Sequence, residues 1–152
     1  ISDMSKNKVG ALIVLERETG LNDIIQTGVN IDSKIVSELI LNIFTPKTPL
    51  HDGAIVIRKE RIVAASCLLP LTNNTSLKKE LGTRHRAALG MIENSDAIVI
   101  IVSEETGIIS VAMNGKLKRY LDVNATKKLF KDALIEDFHR GINFKKWWIK
   151  ND

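Results

Sequence analysis

The segment Ala97-Ile98-Val99-Ile100-Ile101-Val102 restricts the fold more than any other. An unbroken apolar, mostly β-branched run has no polar face, so it reads as a buried strand rather than a half-exposed one. It is far too short to span a bilayer, which takes about 20 apolar residues in a helix. Val9 to Leu15 reads the same way. Ala54 to Ile57 and Arg61 to Leu69 read as strands joined by the polar turn Arg58-Lys59-Glu60. Ile108 to Met113 and Lys116 to Leu121 flank Asn114-Gly115, a hairpin signal because both turn residues tolerate positive φ.

Helical segments separate these strands. In Ser33 to Phe44, apolar Ile35, Val36, Leu39, Ile40, Ile43 and Phe44 recur at three- and four-residue spacing. Asp32 or Ser33 is the expected cap and Pro46 the terminator. Leu21 to Gln26 reads as a short helix, and Arg84 to Glu93 as a longer one capped by Thr83. A last helix runs from Asn124 to about His139, with Leu129, Phe130, Ala133, Leu134 and Phe138 inward and Gly141 closing it. Leu71 to Gly82 has no period and reads as a loop. Interleaved strands and helices with several hairpins predict an α/β fold: a single globular domain with a central mixed β-sheet surrounded by α-helices.

Composition narrows the function classes. A chain of 152 residues with 44% hydrophobic and 26% charged residues suits one ordinary globular domain. The net charge of +4 suits an anionic ligand, but lacks the dense basic clustering of nucleic-acid binders. Cys67 is the single cysteine, so no intramolecular disulfide or multi-thiolate zinc site can form, and a reducing compartment is expected. The chain begins at Ile1 rather than Met, as expected of either a fragment or a tagged chain, and any membrane anchor is expected outside these residues.

Three segments carry chemistry. Leu50-His51-Asp52-Gly53-Ala54 stands at the start of a strand, where a carboxylate beside glycine can reach a metal or hydroxyl while the backbone approaches a ligand. Taken alone, Asp-Gly reads first as a plain turn. Gly82-Thr83-Arg84-His85-Arg86 opens a helix. Cations there oppose the helix dipole by about 0.3–1 kcal/mol each. Free N–H groups at that end favour an anion, and arginine grips phosphate with two donors at once. Both arginines make sense if a polyphosphate neutralises them; surface pairing with acidic neighbours is the alternative. Ser103-Glu104-Glu105-Thr106-Gly107 follows the buried strand, where sheets often place ligands, yet it also reads as a solvated turn. No phosphate-binding glycine loop with its Lys-Ser/Thr is present.

Asp52-Gly53-Ala54 together with Arg84-His85-Arg86 resembles the two signature motifs of the diadenylate cyclase domain family. The likeness extends in order through Glu16 to Leu21, Asn42 to Ala54, Gly82 to Leu89 and Ser103 to Gly107, and Phe144 to Trp148 loosely resembles the tail of the membrane-anchored CdaA type. The resemblance implies a catalytic domain over 1–152, with its core at about 9–140 and a transmembrane region outside the chain. It implies a nucleotidyltransferase on the cytoplasmic face of the bacterial membrane that joins two ATP into cyclic di-AMP. Two domains would face each other as a homodimer, with room for membrane-associated regulatory partners and no role for nucleic acid.

By the same resemblance Asp52, Arg84, His85 and Arg86 are catalytic. ATP would be bound by Gly53, Ala54, Leu68, Leu69, Gly82, Thr83, Arg84, His85, Arg86, Ser103 and Glu104, and Mn²⁺ or Mg²⁺, with Co²⁺ also admissible, by His51, Asp52 and Glu105. Some relatives carry an aromatic residue at the position of Leu68, so adenine would here be buried rather than stacked. A nucleotide sensor without turnover and a basic nucleic-acid-binding module are the competing readings.

Overall fold

The computed structural model describes residues 1–77, 79 and 81–139, and in it the apolar runs assemble into one seven-stranded sheet. The strands are β1 (Ala11–Leu15), β2 (Val29–Lys34), β3 (Ala54–Arg58), β4 (Arg61–Cys67), β5 (Ile98–Val102), β6 (Ile109–Met113) and β7 (Lys116–Leu121). Their order is β2-β4-β3-β1-β5-β6-β7. Only β1 and β3 run parallel; the other neighbours are antiparallel, so the sheet is mixed as expected.

Helices cover both faces, which is why β1 and β5 can be apolar throughout. On one face Leu12, Val14, Val56, Val99 and Ile101 pack under α4 (Thr83–Glu93) through Ala87, Ala88, Met91 and Ile92. On the other, Ile13, Ile55, Ile57, Ile100 and Val102 pack with Met4 of α1 (Ser2–Lys6) and with Ile43 and Phe44 of α3 (Ser37–Phe44). Phe44 is 2% exposed, a burial worth about 1.5–3 kcal/mol. The short helix α2 (Asn22–Ile25) lies on the α4 side, and α5 (Val123–His139) covers Ile98 and Val111 on the other with Leu129, Phe130 and Ala133.

The two expected hairpin turns are present. Lys59 and Glu60 (φ +45° and +66°) join β3 to β4, and Asn114 and Gly115 (φ +50° and +72°) join β6 to β7, the two-residue geometry that matches strand twist. Five local expectations are corrected. The helix expected from Ser33 starts at Ser37; Ser33 and Lys34 instead close β2, because Ser33↔Ile62 and Lys34↔Arg61 continue the pairing of Val29↔Ala65 and Asn30↔Ala64 on β4. Asp32 (φ +53°) sits in a bulge and accepts a 2.7 Å hydrogen bond from Arg61 Nε instead of capping. Gly82, not Thr83, holds the cap position of α4, and Asp122, not Asn124, caps α5 by accepting from the Ala125 N–H at 2.7 Å. Phe138, expected inward, is 60% exposed, while its neighbour Asp137 is fully buried. The expected closure at Gly141 and the tryptophans Trp147 and Trp148 lie outside the described residues.

Asp137 is buried because it ties α5 to the end of β1. Arg17 Nε donates to Asp137 Oδ2 at 2.8 Å, Arg17 Nη2 donates to Oδ1, and Arg17 Nη1 reaches the Asp96 carbonyl at 3.3 Å. Removing one partner of such a pair strands the other charge. Asp137→Ala is therefore expected to cost about 3–5 kcal/mol in urea unfolding. Exposed Phe138→Ala should cost under about 0.5 kcal/mol. Similar losses for the two would discount the ion pair.

Candidate functional site

Topology gathers the chemistry-bearing segments at one end of the sheet. Because β1 and β3 are parallel, Gly10 and the pair Asp52-Gly53, which precede them, lie at the same end. Antiparallel β4 and β5 bring their carboxyl ends there, delivering Leu68-Leu69 and Ser103-Glu104-Glu105. The amino end of α4 completes an open cleft of about 880 Å³, within the range of sites that enclose small ligands.

Of the expected site residues, Asp52, Gly53, Leu68, Leu69, Gly82, Thr83, Arg84, His85, Ser103, Glu104 and Glu105 line this cleft. Ala54, fully buried in β3, His51 and Arg86 are not on its wall. Arg86 is half-buried, and its carbonyl accepts from the Thr72 N–H at 3.1 Å.

Gly53 is where backbone freedom is needed. Its φ is +91°, and a Cβ there would lie 2.7 Å from the Cys67 carbonyl oxygen and 2.8 Å from the Ser66 carbonyl carbon. The pressure comes from a bulge in β4, where Ala54↔Cys67 and Val56↔Ala64 leave one extra residue and Ser66 takes φ +56°. The Asp52 side chain is thereby left 87% exposed at the rim.

At the α4 end, no side chain among the described residues caps the helix and its first turn holds no acid, so N–H groups without a helical partner lie at the end where Thr83 and Arg84 line the cleft. Arg84 Nη1 is paired at 3.1 Å with Glu104, a 64%-exposed side chain. The guanidinium lies against Gly10, where a Cβ would come within 2.6 Å of its Cζ. Gly10 is a site residue that sequence reasoning missed; only its place before a buried strand hinted at close approach.

His85 is buried, with Nε2 3.1 Å from Ser110 Oγ. Burial, and then the nearby Arg119 charge, hold its pKa below the usual histidine range. His85 therefore offers the cleft a neutral ring rather than a cation. Arg119 was also missed, although period-two alternation in β7 places it on the Leu117 face. Burial also pushes the Cys67 thiol up to about 11, so it is no nucleophile at neutral pH.

His51 Nδ1 lies 2.7 Å from the Thr48 carbonyl, which accepts from it, and Nε2 lies 3.4 Å from Asp52 Oδ1. Such paired donors fit a divalent cation that keeps water and takes its remaining ligands from phosphate. The expected trio with Glu105 is not assembled. Glu105 follows β5, two strands away from β3, and no group of three His, Cys, Asp or Glu converges among the described residues.

Fold and site together define an α/β domain with an open cleft lined by arginines, carboxylates and one helix amino end. Comparison with known proteins is specific. The family model described as "DisA bacterial checkpoint controller nucleotide-binding" (DAC) matches residues 1–117. Cyclic di-AMP synthase CdaA of Bacillus subtilis is 47% identical over 148 residues, covering 97% of this chain and 54% of that protein. A diadenylate cyclase of Listeria monocytogenes is 47% identical over 145 residues, covering 95% and 53%. The crystal structure of a double mutant of DacA from Staphylococcus aureus has a TM-score of 0.81 at 50% identity, covering 89% of this chain and 87% of that one. The chain belongs to the diadenylate cyclase (DAC) domain family. It spans about half the length of the curated relatives it matches.

The depressed proton affinity of His85 has a measurable sign. Above the unfolded-state pKa of about 6.5 both states carry a neutral ring and its contribution to stability is full. Below that value the unfolded chain protonates first, so stability falls until pH passes the folded-state pKa. The urea midpoint is expected to drop between pH 7 and pH 5, and His85→Gln to flatten that segment. Parallel profiles for the two proteins would contradict the assignment.

Proposed function

We propose that this domain is the catalytic portion of a diadenylate cyclase, joining two ATP into cyclic di-AMP and two pyrophosphates. The observation that carries the reading is the presence of Asp52 and Arg84 on the wall of one cleft. The Asp52 carboxylate stands exposed, and Arg84 lines the same cleft at the amino end of α4. The B. subtilis and L. monocytogenes relatives carry the same activity in their names.

In this reading the cleft holds one ATP, with adenine against Leu68 and Leu69 and the phosphates at Thr83 and Arg84. Occupation displaces Glu104 from Arg84, at small cost because exposed pairs are worth about 0–1 kcal/mol. The 3′-hydroxyl oxygen of one ATP bonds to the α-phosphorus of the other. The bond from that phosphorus to the bridging oxygen breaks, pyrophosphate leaves, and the hydroxyl proton passes to the Asp52 side. Two such steps close the ring. Asp52 orients the hydroxyl, and Arg84 with the helix end neutralises the leaving charge, the electrostatic contribution phosphoryl transfer chiefly requires.

His51 and Asp52 are the residues suited to hold Mn²⁺, Mg²⁺ or Co²⁺, which when bound lowers the pKa of a coordinated hydroxyl. One cleft per domain requires two domains face to face, a self-complementary arrangement. Attachment to the cytoplasmic face of a membrane through a segment outside this chain is part of the proposal. It is supported by a "hypothetical membrane spanning protein" from Bacillus cereus whose structure matches at TM-score 0.76 and 48% identity. Among the described residues no helix is long and apolar enough to cross a membrane.

Incubation of the chain with ATP and each metal, with products identified by mass, tests the activity; ATP binding without pyrophosphate release would instead support a sensor. Asp52→Asn should lower turnover by at least about 10²-fold with an unchanged unfolding midpoint. Full activity in that variant would remove Asp52 from the mechanism. The rate per domain should rise with protein concentration, and a constant rate in a proven monomer would contradict the facing pair. Gly10→Ala should keep the fold, because the clash falls on the movable tip of Arg84, yet weaken ATP binding by roughly 10-fold through a lost charge-assisted contact.

A further inference from the structure

The cleft holds an arginine that neither the sequence motifs nor the reaction scheme above employs. Strand β7 pairs with β6 through Ile109↔Leu121 and Val111↔Lys118, so two steps along β6 face three along β7. The extra residue falls at Arg119-Tyr120, opposite Ser110, and Tyr120 adopts φ +59°. Bulges re-aim side chains. Here Leu117 packs into the core beneath α4, whereas Leu121, four residues on, packs into the cores on the opposite face. The strand crosses over between them, and Arg119 stays on the α4 side, lining the cleft beside His85.

The chemistry of Arg119 is unfinished. Its Nε is buried without a hydrogen-bond partner, and no carboxylate pairs with it among the described residues. Its Cζ lies 5.0 Å from the centre of the Tyr120 ring, a contact that restrains the guanidinium without neutralising it. The other cleft arginine, Arg84, is tied to Glu104. A buried donor without a partner costs stability. Retaining one at the end of a bulged strand makes sense where a ligand completes it.

We infer that Arg119 is a phosphate-binding residue of this cleft, gripping the triphosphate of the bound nucleotide beside the α4 end. This rests on the proposed function for the identity of the nucleotide, but not for its phosphate chemistry. Guanidinium binds phosphate with paired, directed donors, which an ammonium group cannot reproduce.

The test is calorimetric binding of ATP, inorganic pyrophosphate and adenosine to the full chain, wild type against Arg119→Met and Arg119→Lys. Arg119→Met is expected to weaken ATP and pyrophosphate roughly 10- to 100-fold and leave adenosine unchanged. Arg119→Lys should recover part of the loss. ATP and pyrophosphate affinities equal to wild type in Arg119→Met would overturn the inference, as would an equal loss for adenosine, which marks a merely structural role. Should Arg119→Met fail to fold, mass-mapped phenylglyoxal modification of the wild-type chain decides. Pyrophosphate should slow modification at Arg119, and an unchanged rate there overturns the inference. Wild-type product formation separates the two levels. Cyclic di-AMP formed with Arg119 indifferent to phosphate removes only Arg119. No cyclic di-AMP, with pyrophosphate still bound through Arg119, removes only the cyclase reading.

Discussion

Everything in this domain depends on β1 being zipped to a neighbour on each side. It runs parallel to β3 through Ile13↔Ile55, Val14↔Val56 and Leu15↔Ile57, and antiparallel to β5 through Ala11↔Val102 to Leu15↔Ile98. Without it the sheet would fall into two antiparallel halves, β2-β4-β3 and β5-β6-β7. One parallel pairing in an otherwise antiparallel sheet also decides which loops meet. It brings the segments before β1 and β3 to the same end as those after β4 and β5, and the cleft opens over that seam. The site is thus a consequence of strand direction before it is a consequence of side chains.

The cleft is electrostatically balanced rather than uniformly basic. Asp52, Glu104 and Glu105 face Lys79, Arg84 and Arg119 around one cavity. In the proposed reaction a polyanion entering it would trade a protein carboxylate for a phosphate at Arg84, an arginine that the Glu104 pair already holds in position. Gly10 keeps that guanidinium close to the seam, and neutral His85 fills space beside it without adding charge that would have to be buried.

What could be read from the sequence was local and periodic. The buried runs of β1 and β5, the Asn114-Gly115 turn and the α4 motif signal themselves through spacing or turn chemistry. β2 did not, because its pairing partner lies some thirty residues away and its apolar residues continue into the helical period of α3. Asp137 reads as a polar helix residue until Arg17, 120 positions earlier, is placed against it. Gly10, against the Arg84 guanidinium, and Arg119, on the cleft wall, went unnoticed and owe their places to a close approach and a bulge. Both arise only when distant segments pack, whereas the DGA and RHR segments carry their chemistry in adjacent residues.

The two outer strands share a feature with a bearing on assembly. β2 is bulged at Asp32 and β7 at Tyr120, and both carry charged side chains along their length, Asp32 and Lys34 on one, Lys116, Lys118 and Arg119 on the other. Kinked, charged rims make poor templates for a further strand. Copies of this chain are thereby discouraged from joining edge to edge into a continuous sheet or growing into fibres. The free ends of the ladder are blunted, and encounters between molecules are left to their loops and cleft mouths.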